Sequence, residues 1–241
     1  MNKLLNLLQA NKDRGQALSV RAEAGTAHVY LYEAIGGWFG VDAKDFIQTL
    51  NDIEETNIVL HINSPGGDVF DARAIATAIK QHKATVTAQI DGLCASAATY
   101  ISAACASVSM ADGGFYMIHE GWTMAIGNKS DMRGTADLLE KVDNSILNDY
   151  AKKTGLDRDQ LHAWMQAETW FDATEAKEHG FIDSIIEDDT ETNNASRWNL
   201  SAYANAPKLE PKTQPEHDEE AHKEFMARLR RQTQALAMAH G

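Results

Sequence analysis

An α/β fold around a parallel sheet is what this 241-residue sequence predicts, on three observations. Short β-branched runs alternate with stretches of helical periodicity between residues 27 and 187. The run Ile58-Val59-Leu60-His61-Ile62 is apolar almost throughout, as in a strand covered on both faces. Turn signals follow two of the strand-like runs, at Ser64-Pro65-Gly66-Gly67 and Asp91-Gly92.

Each element has its own warrant. Residues 1–25 read as a polar, weakly structured lead-in. His28 to Tyr32 alternates with strand period, and Phe46, Leu50 and Ile53 recur at helical spacing. After the glycine turn, Asp68 is placed to cap a helix carrying Ala72, Ile75 and Ile79. Thr85 to Ile90 is the next strand, and Asp91-Gly92 is expected to turn after it. An alanine-rich helix is expected over 96–106, then short strands at 108–110 and 115–118.

Leu139, Val142, Ile146 and Tyr150 set one face of a long helix over 130–153, with Gly155 as its stop. A shorter helix over 158–166 precedes Trp170-Phe171. Asp172-Ala173-Thr174-Glu175 is a capping-box pattern that opens another helix, ended by Gly180. Phe181-Ile182 and Ile185-Ile186 close the domain, giving boundaries of 26–187. Residues 187–220 are rich in Asp, Glu, Asn, Thr and Pro and read as a disordered linker, part of an acidic tail over 188–241. A short helix is expected over 216–238.

Composition narrows the function classes. A formal net charge of -13 argues against a nucleic-acid binder, because no face concentrates cations against phosphates. The patch Arg228-Leu229-Arg230-Arg231 reads as a solvated helix face. The two cysteines, Cys94 and Cys105, lie in small apolar surroundings, so reduced core thiols and a cytoplasmic location are expected. The apolar start, Met1 to Leu8, is too short for a signal-peptide core, and no stretch approaches a membrane span. Cys and His do not cluster at ligand spacings, so no metal or organic cofactor is expected; His61, His82, His162 and His179 read as surface or strand residues.

Three segments carry chemistry: Ile62 to Gly67, Ala95-Ser96-Ala97, and Ile118-His119. Acyl transfer needs a holder for an oxyanion, a nucleophile and a base, and the segments offer one of each. Glycines let backbone N–H groups face a cleft without a Cβ in the way. Ser96 at a helix start is either a packing or capping residue or a hydroxyl held at the positive end of the helix. His119 at a strand end is either a satisfied core histidine or a base. The ordered combination favours a serine peptidase.

Those segments, with Asp91 to Ala98, Tyr116 to His119 and Thr174 to Asp183, resemble the ClpP-type serine peptidases of the S14 family. The resemblance covers roughly residues 27–187, and the 29 residues from Gly67 to Ser96 match the family's gap. It implies a ClpP/crotonase-like fold of repeated β-β-α units, with the helix at 130–153 as a protruding handle and a disordered C-terminal tail. It further implies Ser96 as nucleophile, His119 as general base, and the N–H groups of Gly67 and Ala97 as oxyanion hole. Gly66 and Gly67 would also bind an extended peptide substrate. A homo-oligomeric ring, stacked in pairs and served by a Clp ATPase, is implied as well.

The acid is where the chain departs from the family pattern. The family's aspartate lies four residues before the N-cap of the small helix, and Glu168 stands there. Asp172 is the rival, although the capping box already gives it a structural role. Gly36-Gly37-Trp38-Phe39-Gly40 and His119-Glu120-Gly121-Trp122 resemble ClpP-like proteins of phage and prophage head-assembly modules. That likeness implies a prohead protease that trims scaffold and capsid proteins inside a procapsid, and trims its own tail. Two readings stand beside it. One is a host-type proteolytic subunit working with an unfoldase. The other is a catalytically silent ring or scaffold protein, since the fold also serves crotonase-type enzymes and inactive subunits.

Overall fold

The computed structural model describes residues 3–12, 14–37, 40–187 and 197–207. Trp38, Phe39, the helix expected over 216–238 and the patch at 228–231 lie outside the described residues, as does most of the tail. The expected α/β architecture is present: an eight-stranded mixed sheet with helices packed against it. The main path runs β1 (Gln16–Glu23), β2 (Thr26–Tyr32), β3 (Asn57–Ser64), β4 (Thr85–Ala95), β5 (Val108–Ala111) and β8 (Ser184–Ile186). Pairing is parallel from β2 onward, while β1 is antiparallel to β2. A branch leaves β4 through β6 (Phe115–Ile118), parallel to it, and then β7 (Thr169–Phe171), antiparallel to β6.

Burial follows the sequence pattern. Ile58, Leu60 and Ile62 of β3 are all within 1 % of full burial, as a doubly covered strand demands. The helix α3 (Val69–Gln81) buries Ala72, Ile75, Ala76 and Ile79. Its N-cap Asp68 accepts from Phe70 N and Asp71 N, satisfying two donors a helix start leaves open. The handle α5 (Lys129–Thr154) opens on an Asn128–Asp131 capping box and stops at Gly155 in the left-handed region. Its buried residues, Val142, Ile146, Leu147 and Tyr150, all lie in its second half, and the first half leaves Met132 and Leu138 exposed. Among the described residues, no helix is long and apolar enough to cross a membrane.

Three expectations are corrected. The lead-in carries a helix, α1 (Lys3–Asn11), and the strand β1, and Leu7 is 1 % exposed. Asp91-Gly92 does not end its strand, because β4 runs on to Ala95. Ile62 faces Ile90 but Ser64 faces Cys94, so β4 carries two extra residues there, a bulge. Upstream of the bulge β4 pairs with β5; downstream it pairs with β6. The Asp-Gly pair therefore marks a change of partner, and Asp91 stays inside because Tyr32, His61 and Gln89 all hydrogen-bond its carboxylate.

The third correction concerns the linker expected over 187–220. Residues 197–207 form a strap packed on the domain, burying Trp198, Leu200 and Tyr203. Asn11 of α1 holds it through two bonds, Nδ2 to Asn199 O and Oδ1 from Asn199 N. Trp198 Nε1 donates to Asn63 Oδ1 at 2.8 Å. Aromatic side chains with satisfied polar tips outweigh a polar local composition.

Candidate active site

Strand register assembles the site. In the parallel β4–β6 pair, Ala95 faces Met117, and Ser96 N continues the ladder by donating to Met117 O. In the parallel β3–β4 pair, Ser64 faces Cys94, which sets Gly66 beside Ser96 two residues on. In the antiparallel β6–β7 pair, Tyr116, Met117 and Ile118 face Phe171, Trp170 and Thr169. Extending that count by one residue places Glu168 across from His119. The glycine turn, Ser96, His119 and Glu168 thus meet at one end of the sheet, beyond the carboxyl ends of its parallel strands.

Ser96 sits at the corner between β4 and the short helix α4 (Ala97–Ser102) with φ 55° and ψ −124°. Such backbone is costly for a residue with a Cβ, of order 1–3 kcal/mol, and it directs the hydroxyl out of the turn. The expected helix over 96–106 is shorter than the sequence suggested. Gly66, at φ 86°, explains how the corner fits: a Cβ there would lie 2.7 Å from Ser96 Cβ and 2.6 Å from Ala95 O. Its own N–H goes to Ser64 Oγ and its carbonyl accepts from Ile35 N, so Gly66 contributes space and is not free to pair with a peptide.

His119 Nε2 lies 2.7 Å from Ser96 Oγ. If Nε2 accepts the serine proton, the ring carries its own proton on Nδ1, and Nδ1 is buried with no hydrogen-bond partner. Burial holds the imidazole down to about pKa 4, against opposing pulls from Glu168 and the Glu120 backbone. The ring packs against Trp122 and Tyr203, with centroids 4.5 and 5.5 Å away. A cleft of about 350 Å³ opens in front, with Gly67, Ser96, Ala97 and His119 on one wall and Leu139, Val142 and Ile146 of α5 on another.

The two candidate acids differ sharply. Asp172 caps α7 (Ala173–Glu178): its Oδ1 accepts from Glu175 N, and Glu175 Oε2 accepts from Asp172 N. Glu168 is 9 % exposed, carries φ 50°, and is near enough to act electrostatically on His119. A glutamate occupies a left-handed position just after helix α6 (Arg158–Gln166), where glycine is the usual choice. Its carboxylate is bound by the strap: Ala204 N donates to Oε2 at 2.9 Å and Asn205 N to Oε1 at 2.7 Å.

Tyr203 is the site residue that the sequence reading missed. Its hydroxyl donates to Pro65 O at 2.6 Å, and its side chain lines the cleft beside Ser96. Burial pushes its pKa up. The one available signal was the trio Trp198, Leu200 and Tyr203 inside a polar stretch. The four other histidines singled out in the sequence lie elsewhere: His61 bonds Asp91, His82 caps α3, His162 faces Glu120, and His179 packs on Trp164. Burial raises the Cys94 thiol and lifts Cys105 to about 12, which leaves both unreactive.

Residues 26–189 match the Clp protease family. ATP-dependent Clp protease proteolytic subunits of Streptococcus pneumoniae strains Hungary19A-6 and CGSP14 are each 33% identical over 134 residues, covering 54% of this chain and 68% of theirs. Among solved structures, a ClpP1 point mutant from Listeria monocytogenes superposes with a TM-score of 0.59 at 27% identity, covering 67% of this chain and 92% of that one. A match over that span, with relatives at that identity, makes this chain a member of the Clp protease family.

Proposed function

We propose that the chain is a serine endopeptidase using Ser96 as nucleophile, His119 as general base and Glu168 as the acid that orients the base. The observation that carries this is the 2.7 Å contact between His119 Nε2 and a Ser96 Oγ held at a strained strand–helix corner. Ser96 Oγ attacks the scissile carbonyl carbon while its proton passes to Nε2. The N–H groups of Gly67 and Ala97, which line the same cleft, stabilise the resulting oxyanion. The imidazolium then gives that proton to the leaving amine, and water repeats the sequence on the acyl-enzyme. The apolar wall from α5 suits an apolar substrate side chain.

The setting we favour is prohead maturation in a host cytoplasm, with scaffold and capsid proteins as substrates and a homo-oligomeric ring as the working form. The Gly-Gly-Trp-Phe-Gly and His-Glu-Gly-Trp segments support it. A specific observation favours a second setting equally: the pneumococcal relatives are proteolytic subunits of an ATP-dependent protease. Direct binding to a Clp ATPase separates the two.

Intact mass after treatment with a fluorophosphonate tests the chemistry, on material of known oligomeric state. A single adduct on wild type and none on Ser96→Ala supports the peptidase reading. No adduct on an assembled ring turns the reading to a scaffold protein. Loss of trimming within 187–241 in Ser96→Ala during expression supports self-processing.

A further inference from the structure

We infer that residues 197–207 are an autoinhibitory strap that holds Glu168 away from His119, so that the triad closes only when the strap lifts. The inference deepens the peptidase reading and rests on it for its consequence in activity. Its structural part stands on the hydrogen bonds alone.

The strap touches the glycine turn, the base and the acid. Tyr203 donates to Pro65 O in the glycine turn and stacks its ring edge toward His119. Ala204 N and Asn205 N each take one oxygen of the Glu168 carboxylate. Asn205 Nδ2 adds a bond to Ala167 O at 2.7 Å, beside the glutamate. Meanwhile the buried Nδ1 of His119, the atom that an orienting acid would serve, carries no well-formed hydrogen bond: the Glu120 backbone acts on the ring weakly, and Glu168 only through its charge. A buried imidazole nitrogen without its acid, near a carboxylate engaged elsewhere, is an uneven division of bonds. Moving the carboxylate from the strap to Nδ1 would correct it, since the β6–β7 register, extended by one residue, sets Glu168 across from His119.

The strap also explains what lifts it. An extended peptide lying along the glycine turn competes with the Tyr203 hydroxyl for Pro65 O, the first of the strap's bonds to the site. Substrate entry and triad closure are thereby linked through one carbonyl.

The test uses the full chain. Ala204→Pro with Asn205→Pro removes both N–H donors to Glu168; Tyr203→Phe removes only the bond to Pro65 and keeps the ring, and serves if the prolines prevent folding. Two readouts are taken: the rate of fluorophosphonate labelling, and the low-field proton resonance of an imidazole N–H bonded to a carboxylate. Released variants should label faster, by about tenfold or more for the double proline, which loses two charge-assisted bonds, and by less for Tyr203→Phe, which loses one neutral bond. They should also gain the low-field resonance, which Glu168→Gln in the same background abolishes. Unchanged or slower labelling together with no new resonance overturns the strap and leaves the peptidase reading standing. A new resonance without labelling in any variant upholds the strap and sinks the peptidase reading.

Discussion

The two halves of the site are held by different kinds of structure. Ser96 and His119 lie at the ends of adjacent parallel strands whose flanking residues, Ala95, Ala98, Met117 and Ile118, are fully buried. Their 2.7 Å contact follows from sheet register and core packing. Glu168 lies on the antiparallel branch, and its carboxylate is fixed by main-chain donors from a segment near residue 204. One half belongs to the fold; the other half is shared with a peptide strap. A site divided in that way keeps its nucleophile ready while control rests on the acid.

Each half can be disturbed separately, and the effects should differ in size. The largest effect is expected for Ser96→Ala, with complete loss of labelling and retained thermal stability, because alanine also fits the corner. Gly66→Ala should come next: the added Cβ has no room between Ala95 O and Ser96, so labelling falls with the nucleophile displaced. If that variant labels at the wild-type rate, the close approach of the turn does not position Ser96.

Glu168→Ala should reduce peptidase turnover about a hundredfold or more, as loss of support for a general base does. Asp172→Ala should leave turnover near wild type and cost about 1 kcal/mol in denaturant unfolding, the usual loss of an N-cap. The opposite ranking would transfer the acid to Asp172. The smallest effect is a shift in pH profile. Burial favours neutral His119 and Glu168 opposes it, so the acid limb of wild-type labelling should lie near the imidazole's value of about 4. When the strap is released and Glu168 bonds Nδ1–H, the nearer negative charge favours the imidazolium, and the limb moves to higher pH. A limb that stays put in the released variant argues against the carboxylate moving.

The same division governs what could be read from the sequence. The strands bearing Ile58 to Ile62 and Phe115 to Ile118 were legible because local apolar runs and their final burial coincide. Ser96, His119 and the glycine turn stood out because short motifs in a fixed order encode that half. Asp91-Gly92 was misread because local turn chemistry says nothing about a strand changing partners at a bulge. Tyr203 escaped because its partners, Pro65 and His119, lie 138 and 84 residues away in the chain. The polar composition around it reports on solvent, and packing against Trp122 and Trp170 overrides that locally.

The clasp between Asn11 and Asn199 ties the strap to the first helix of the same polypeptide. Inhibition is therefore unimolecular, and dilution does not relieve it. A short tether presents its segment at an effective concentration on the order of millimolar, so a peptide offered from solution must compete at that level. Proteins packed at high density around the enzyme meet that threshold, whereas stray peptides at micromolar concentration do not. The strap would thus act as a threshold on crowding, making the enzyme answer to how much substrate surrounds it before it answers to which.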